Sequence, residues 1–519
     1  METKLIKNAV GRMVPNEING NPAIPFQGVG KYIPEGNRYA PKTASSADYP
    51  LDGNKQIASL KEALQLSGLK DGMTISTHHH FRDGDLVANM VFDIVKELGV
   101  KNIRWFPSAS FPCHTQLIKY LEDGTISHIE GSMNGPLGRY CSDGKMGKMA
   151  VLRSHGGRYQ AIQDGEVKID IAVIGAATAD PFGNANGVNG HSVSGGLGFA
   201  LADSQYAEKV IVVTDNLVPF PCIPWQIQGN YVDYTVVVDK IGIPEKIVSG
   251  TTAITKSPDR LLIAEMTAKF CELTGIIQEG FSFQAGAGGT ALSIGIYFAE
   301  IMRRKGIKAR FARGGSNKYL VEMLEEGLIE YILDGQTFDL DGVRSLRDNP
   351  HHVSSSPFTS YNYHCKGNFA GMVDVVILGA TEVDVNFNAN VVTHSDGYLL
   401  HGIGGWQNCL FSKTVILPIP LFRDRFPVIM DEVTTLCGPG ELIDVIVTER
   451  GIAINPLRKD LIEKVKGSGL PIKTIQELKD EAERICGKPE KPKLGKKIVA
   501  AIKWVDGTVI DVVREVVGD

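Results

Sequence analysis

The sequence of 519 residues predicts an α/β fold with two tandem homologous domains, each an open, mostly parallel sheet covered by helices. From Leu60 onward, short apolar runs alternate with amphipathic stretches, a pattern typical of a sheet with helices on both faces. One block of sequence recurs 204 residues later. Glycine is abundant, with 57 residues, as expected where tight turns join many strands to helices.

The repeat defines the domain organisation. Residues 169–188, IDIAVIGAATADPFGNANGV, align without a gap with residues 373–392, VDVVILGATEVDVNFNANVV. Identical positions include Asp170/Asp374, Gly175/Gly379, Ala176/Ala380, Asp180/Asp384, Asn184/Asn388, Ala185/Ala389 and Asn186/Asn390. A repeat of this length indicates two homologous halves of domain size.

We therefore predict four segments. They are an extended N-terminal arm (1–54), a first domain (55–255), a second domain (256–490) and a C-terminal tail (491–519). In the tail, Asp506-Gly507 stands between two β-rich runs and is typical of a hairpin turn.

Composition excludes several classes of protein. Hydrophobic residues make up 43% and charged residues 22% of the chain, which excludes disorder over most of it. The net charge of -5 argues against a surface that coats nucleic acid. No apolar run is long enough for a membrane helix and no secretory signal is evident, so we predict a cytoplasmic protein. The eight cysteines lack C-x-x-C spacing, which predicts reduced thiols and no structural metal site.

Two glycine turns are candidates for catalysis. The strand FSFQA runs into Gly286-Ala287-Gly288-Gly289 and then into a helix, where uncovered N–H groups at the helix terminus favour an anion. Gly404-Gly405 precedes a predicted strand, as Gly195-Gly196 does in the first half, and paired glycines there could present main-chain donors to a carbonyl. A purely structural turn remains the alternative in each case.

A cationic cluster occupies the equivalent turn of the first half. The segment THHHFRDGD follows a predicted strand, and open α/β sheets bind ligands at the carboxyl ends of their strands. We predict that His78, His80 and Arg82 bind a multiply charged anion. Because side chains alternate along an extended segment, His79 is expected on the opposite face. Packed structural histidines and a metal site are the alternatives.

In combination, THHHFRDGD, ADPFGNANG, FQAGAGG and LGATEVDVNFNANV resemble the coenzyme A transferase family, and more closely its citrate lyase alpha-subunit branch. The resemblance implies a transferase that exchanges acetate for citrate on the thioester of an acyl carrier protein. It implies a carrier subunit (gamma), a citryl-ACP lyase subunit (beta), a homo-oligomer, and no cofactor on this chain. It further implies that the reacting thiol belongs to a coenzyme-A-derived prosthetic group of the carrier, for which acetyl-CoA can substitute.

One departure from the wider family bears on mechanism. Where many coenzyme A transferases carry a catalytic Glu, this chain reads Arg310-Phe-Ala-Arg-Gly-Gly-Ser-Asn317, without a carboxylate. The departure favours direct attack by a citrate carboxylate, with a mixed anhydride as intermediate. Glu279, Glu300 and Glu382 are the carboxylates to test for a covalent route.

The resulting site prediction has two parts, a catalytic set and a substrate-binding set. The predicted oxyanion donors are the amides of Gly286, Ala287, Gly288, Gly289, Gly404 and Gly405. The predicted substrate-binding residues are His78, His80, Arg82, Asn184, Asn388 and Arg313. A conventional coenzyme A transferase or acyl-CoA hydrolase, a non-catalytic scaffold, and citramalate in place of citrate remain alternatives.

Overall fold

The computed structural model describes residues 4–32, 50, 52–248, 253–286 and 288–518. Its secondary structure is α/β, as the sequence predicts. Among the described helices, none combines the length and apolar character needed to cross a bilayer.

The first large sheet has seven described strands, all paired in parallel. In spatial order the strands are Gln56–Ile57, Tyr234–Val237, Lys209–Thr214, Ile171–Gly175, Thr74–Thr77, Ile103–Pro107 and Ile126–Ile129. The central strand Ile171–Gly175 is buried along its whole length, as expected for a parallel strand covered on both faces. The helices of this half are Leu60–Leu66, Val87–Glu97, Ile118–Glu122, Pro136–Ser142, His155–Gln163 and Leu201–Tyr206.

The second large sheet has nine described strands, and the only antiparallel pair among them joins Val445–Thr448 to Gly451–Ile454. In spatial order they are His352–Ser354, Ile332–Thr337, Phe311–Ser316, Ser282–Ala285, Val375–Ile377, Val415–Pro418, Val445–Thr448, Gly451–Ile454 and Ile472–Lys473. The helices of this half are Pro258–Leu273, Gly289–Lys305, Lys318–Glu325, Leu340–Asp348, Pro357–Tyr361, Trp406–Cys409, Lys459–Lys464 and Ile475–Cys486. Each large sheet thus takes its strands from one predicted half, while the domain boundaries themselves stay a prediction.

Further short strands pair outside the two large sheets. The paired segments are Leu5–Lys7 with Met13–Pro15, Glu17–Ile18 with Asn21–Pro22, Ala109–Ser110 with Ser132–Met133, Thr178–Ala179 with Ala185–Asn186, Phe422–Arg423 with Phe426–Pro427, and Glu382–Asp384 with both Ala389–Asn390 and Ile429–Met430.

The first repeated aspartate joins two neighbouring strands in each half. Asp170 Oδ2 accepts a hydrogen bond from the Thr74 amide at 2.8 Å, and Asp374 Oδ2 accepts one from the Ser282 amide at 2.8 Å. A buried N–H at a strand start needs such an acceptor. The repeat therefore encodes the register of equivalent strands in the two halves.

The second repeated aspartate and the asparagine after it hold a tight loop. Asn184 Nδ2 donates to Asp180 Oδ2 at 2.9 Å, and Asn388 Nδ2 donates to Asp384 Oδ2 at 3.0 Å. Each asparagine Oδ1 also accepts a hydrogen bond from a downstream glycine amide at 2.9 Å. Both side chains thus hold their own loops, and a role of Asn184 and Asn388 in substrate binding stays a prediction.

The N-terminal arm and the C-terminal tail pack against each other. Tail strands Leu494–Lys503 and Val509–Val516 pair antiparallel, which confirms the predicted hairpin. The first of them also pairs in parallel with Ala150–Leu152. Asn8 of the arm donates to the carbonyls of Val509 and Ile510 at 3.2 and 2.6 Å. The tail is therefore joined to the first half by main-chain hydrogen bonds, and the Asn8 side chain joins the arm to the tail.

Candidate active site between the two halves

A cavity of about 550 Å³ lies between the two halves of the chain. Individual residues between His79 and Phe199 of the first half, and between Gln284 and Arg423 of the second half, form its wall. The wall includes the carboxyl ends of the central strands Ser282–Ala285 and Phe311–Ser316, the edge of a parallel sheet where ligands bind. Both halves therefore line the same cavity, as expected from the sequence.

His79 is the histidine of the THHHFR segment that reaches the cavity wall. Its Nδ1 lies 2.6 Å from Ser108 Oγ, and its ring packs on Phe199 with centroids 4.5 Å apart. The ring of His155 stacks on it with centroids 5.5 Å apart. Burial, followed by the neighbouring His155, lowers the pKa of His79 well below its usual value. The ring is therefore neutral at pH 7.

His78 and His80 share the opposite face, which corrects their predicted place at the substrate. Their rings stack with centroids 5.6 Å apart, and both are buried away from the cavity wall. His78 Nε2 lies 3.0 Å from Asp203 Oδ2, and Asp203 also forms a two-point ion pair with Arg158, at 2.7 Å for each oxygen. Successive histidines point to opposite sides of the segment, as predicted. However, His79, and not the pair His78 and His80, faces the cavity.

Possible metal-binding groups were one alternative interpretation of the histidine segment. Within the described ranges, no group of three or more His, Cys, Asp or Glu side chains is arranged to hold a metal ion. All eight cysteines are free thiols, as predicted.

Arg82 lines the cavity, and its predicted binding of an anion stays a prediction. It has a left-handed backbone, with φ of 53°, which side chains other than glycine rarely adopt. Its guanidinium lies over the rings of Phe338, at 4.7 Å, and Phe111, at 5.7 Å. Burial lowers the pKa of Arg82 to about 10, so the group keeps its charge at pH 7.

Arg423 adds a second guanidinium to the cavity wall, contributed by the other half. It donates to the carbonyl oxygens of Thr381 and Ala380 at 2.6 and 2.5 Å. Burial, and then the charge of Arg260, lower its pKa to about 10, so it also remains charged. Two guanidinium groups on the wall of one cavity can form charge-assisted hydrogen bonds to an anionic ligand.

Of the described residues of the first glycine turn, only Gly286 meets the cavity. Gly286 lines the wall, but its N–H already donates to the Ile377 carbonyl at 3.1 Å, which corrects its predicted role as a free oxyanion donor. Gly288 and Gly289 begin the helix Gly289–Lys305 and are not part of the wall. A side chain on Gly289 would meet the Ala253 carbonyl at 2.9 Å, so close packing requires glycine there. Ala287 lies outside the described residues.

The second glycine turn is better placed for catalysis. Gly404 and Gly405 both line the cavity, and within the described residues neither amide donates to a protein acceptor. Gly404 has φ of 61°, and its carbonyl accepts the His155 amide at 2.8 Å across the interface between the halves. A side chain on Gly405 would lie 2.8 Å from the Tyr361 hydroxyl. These two uncovered amides can stabilise a developing oxyanion.

The corresponding glycine pair of the first half packs against protein. Side chains at Gly195 and Gly196 would overlap Thr337 and Ser354 at 2.0 and 2.8 Å. This pair therefore allows close contact between the two halves, the structural one of its two predicted roles.

Arg313 lies beneath the cavity wall and not on it, which corrects its prediction as a direct carboxylate ligand. Its Nη1 donates to Gln284 Oε1 at 2.8 Å, and its guanidinium lies 4.4 Å from the ring centre of Tyr361. Because a guanidinium only donates, it fixes the Gln284 oxygen towards itself. Gln284 Nε2 then faces Tyr361 and Cys409 on the cavity wall, at 3.3 and 3.0 Å.

The described cavity wall carries no Asp or Glu side chain. Of the three carboxylates singled out for a covalent route, Glu382 is buried and accepts hydrogen bonds from Asn390 and Thr434, at 2.9 Å and at 2.8 to 3.0 Å. Glu279 accepts the Lys308 amide at 2.9 Å near the surface, and Glu300 is exposed. None of the three contributes to the wall.

The buried histidine His155 predicts a pH dependence of stability. Burial, and then Arg158, lower its pKa from 6.5 to about 3. Below pH 6.5 the unfolded chain takes up a proton that the folded chain excludes, so stability falls on acidification by about 1.4 kcal/mol per pH unit for this group. His155→Gln should flatten the dependence of the unfolding free energy on pH between 6 and 5. His351→Gln, at an exposed position, is the matched control; equal slopes for wild type and His155→Gln would contradict the assignment.

Several wall residues carried no signal that sequence reasoning used. His155 follows Ser154, whose Oγ accepts the Gly157 amide at 3.0 Å, and this N-cap pattern predicts where the helix begins. Arg423 and Tyr361 stand in no recognisable motif, and distant elements bring them to the cavity. Gln284 lies within the motif FQAGAGG but was not singled out as a site residue.

Comparisons with known proteins show which family the sequence matches. The family described as "Citrate lyase, alpha subunit (CitF)" matches residues 53–516. The citrate lyase alpha chain of Escherichia coli (strain K12) is 39% identical over 479 residues, which cover 92% of this chain and 94% of that protein. The citrate lyase alpha chain of Klebsiella pneumoniae is 41% identical over 484 residues, covering 92% and 95%.

Solved structures agree. A Streptococcus mutans protein assigned as the alpha subunit of citrate lyase, crystallised in complex with citrate, superimposes with a TM-score of 0.94 at 41% identity, covering 99% of this chain and 100% of that one. A malonate decarboxylase alpha subunit from Acinetobacter baumannii has a TM-score of 0.61 at 15% identity, covering 83% and 88%, and shows the shared fold alone.

Proposed function

Since this chain belongs to the citrate lyase alpha-subunit family, we propose that it exchanges acetate for citrate on the thioester of an acyl carrier protein. The reaction converts acetyl carrier and citrate into citryl carrier and acetate. One observation carries the proposal: two guanidinium groups and two uncovered amides meet in a cavity whose described wall has no carboxylate. Such a wall suits a tricarboxylate and offers no nucleophile of the Glu type.

The chemistry follows from these groups. A citrate carboxylate oxygen attacks the acetyl carbonyl carbon, the C–S bond breaks, and a mixed citric–acetic anhydride and a thiolate result. The thiolate then attacks the citryl carbonyl, forming the citryl thioester and releasing acetate. Arg82 and Arg423 hold carboxylates, and the amides of Gly404 and Gly405 stabilise the tetrahedral oxyanions. The neutral ring of His79 adds hydrogen-bonding capacity without adding charge.

The partners belong to the same proposal. The thiol is carried by a coenzyme-A-derived prosthetic group of a separate carrier subunit, and a further lyase subunit cleaves the citryl thioester. The chain itself works as part of a homo-oligomer and holds no cofactor.

Oxygen labelling tests the route. In a single turnover with acetyl carrier and citrate labelled with ¹⁸O in its carboxylates, we expect one ¹⁸O atom in the released acetate, because citrate's oxygen bridges the anhydride. A covalent Glu route would release acetate with the enzyme's own oxygen, and the acetate would be unlabelled in that turnover. Mass spectrometry of the acetate reads the difference.

Two controls complete the experiment. Acetate released without citrate would indicate a hydrolase, and no acetate under any condition would indicate a scaffold. Borohydride reduction followed by peptide mass analysis should find no modified Glu; a modified peptide containing Glu279, Glu300 or Glu382 would overturn the direct route.

A further inference from the structure

A strongly cationic groove lies outside the active site. It encloses about 960 Å³ between the N-terminal arm, the segment 144–149 and the C-terminal hairpin. Its charged lining residues are Lys4, Lys148, Lys496, Lys497, Arg514 and the single carboxylate Glu17. The whole chain has a net charge of -5, so this local excess of positive charge runs against the average.

Within the described part of the chain, nearby carboxylates only partly offset the cations of the groove: Glu515 accepts the Lys497 amide at 3.3 Å, and Arg514 interacts with the buried Asp511. None of the five lies within ion-pair distance of a carboxylate there. The four lysines are exposed, and Arg514 is half-buried. Like charges brought together repel each other, and the repulsion is relieved by an acidic partner that covers them.

The groove adjoins a second cavity that borders the active-site cavity. This second cavity of about 620 Å³ lies beside the helix Pro136–Ser142 and the segment 396–400. It shares His394 and Leu400 with the active-site cavity. We call this second cavity the mouth.

Groove and mouth meet at the end of the same helix. Gly144 lines the groove, and Asp143 and Lys145 on either side of it line the mouth. The mouth is balanced in charge, because Lys145 pairs with Asp143 at 2.9 Å, and Arg139 is accompanied by Asp396. The excess of positive charge therefore lies in the groove and not in the mouth.

We infer that the cationic groove docks an acidic face of the acyl carrier, whose thioester arm enters the active site through the mouth. The inference rests on the proposed function and adds the place where the partner binds. Attraction between complementary surfaces mainly raises the association rate and weakens with salt. The contribution of the groove should therefore appear in kcat/KM for the carrier-bound substrate and not in the chemical step.

The test compares two acyl donors. In the triple variant Lys4→Gln, Lys148→Gln, Lys496→Gln, kcat/KM for the acetylated carrier protein should fall about tenfold at low salt, and its salt dependence should weaken. With acetyl-CoA as donor, kcat/KM should be unchanged. The matched control is Lys459→Gln, Lys464→Gln, Lys466→Gln, three exposed lysines remote in sequence from the groove, which should leave both donors unaffected.

The outcomes are distinguishable. Unchanged kinetics with the carrier would overturn the docking site. An equal loss with acetyl-CoA would assign the groove to nucleotide phosphates, and loss of duplex DNA binding alone would assign it to nucleic acid; either result overturns the inference. If wild type turned over neither donor, the proposed function would fail, and direct binding of the carrier protein to wild type and triple variant would still decide the docking.

Discussion

Arg82→Gln or Arg423→Gln is expected to lower kcat/KM for citrate by about 10- to 100-fold, and the double variant by about 10³-fold or more. The two arginines line the cavity from different halves; Arg82 packs on the Phe338 ring, and Arg423 donates to the carbonyl oxygen of Thr381. Neutral glutamine removes the charge-assisted hydrogen bonds to a citrate carboxylate. Steady-state release of acetate at varied citrate concentration measures the effect.

Conservative variants separate charge from geometry. Arg423→Lys keeps the positive charge but loses the two-pronged donor, so it should lie between wild type and Arg423→Gln. Arg304→Gln removes an arginine that pairs with Glu272 on the surface, and it should be neutral. Wild-type kcat/KM in the Arg82→Gln, Arg423→Gln double variant would remove both residues from citrate binding.

Arg158→Met is expected to reduce the free energy of unfolding by about 3–5 kcal/mol. Burial alone would raise the pKa of the fully buried Asp203, but Arg158 and then His78 outweigh it and hold that pKa well below its usual value. Without Arg158, this carboxylate loses its two bonds of 2.7 Å and remains buried with its charge. Thermal unfolding near pH 7 should show a clear fall in the midpoint.

The double variant Arg158→Met, Asp203→Leu tests the cause. Replacing both partners removes the uncompensated charge, so much of the lost stability should return. The exposed pair Lys61 and Glu97 supplies the control, since Lys61→Met should change stability by less than about 1 kcal/mol. A fully stable Arg158→Met protein would contradict the assigned role of this ion pair.

Local sequence was informative wherever the interaction itself is local. The duplicated Asp…Asn block predicted equivalent elements in the two halves, because each aspartate bonds to amides of its own loop or of the adjacent strand. The alternation of His78, His79 and His80 followed from the geometry of an extended segment. The Asp-Gly turn predicted the hairpin of the tail.

The sequence did not predict which side chains reach the cavity, because this depends on contacts between residues far apart in the chain. Which face of the histidine segment meets the cavity depends on Asp203 and Phe199, more than 100 residues away in the chain. Gly286 looked like an uncovered amide, but the Ile377 carbonyl of the adjacent strand accepts its hydrogen. Arg423 gave no signal, because a single arginine on a short hairpin has no distinctive pattern.

By itself, the sequence determined the α/β class, the duplication, and the turns where strand ends carry glycine, histidine and arginine. These are properties of backbone geometry and short-range hydrogen bonding, which neighbouring residues largely dictate. Only the tertiary structure decided which of those groups face each other across the cavity, and which are already satisfied by protein partners. That decision depends on how the two sheets and their loops pack together, and packing partners far apart in the chain leave no local pattern.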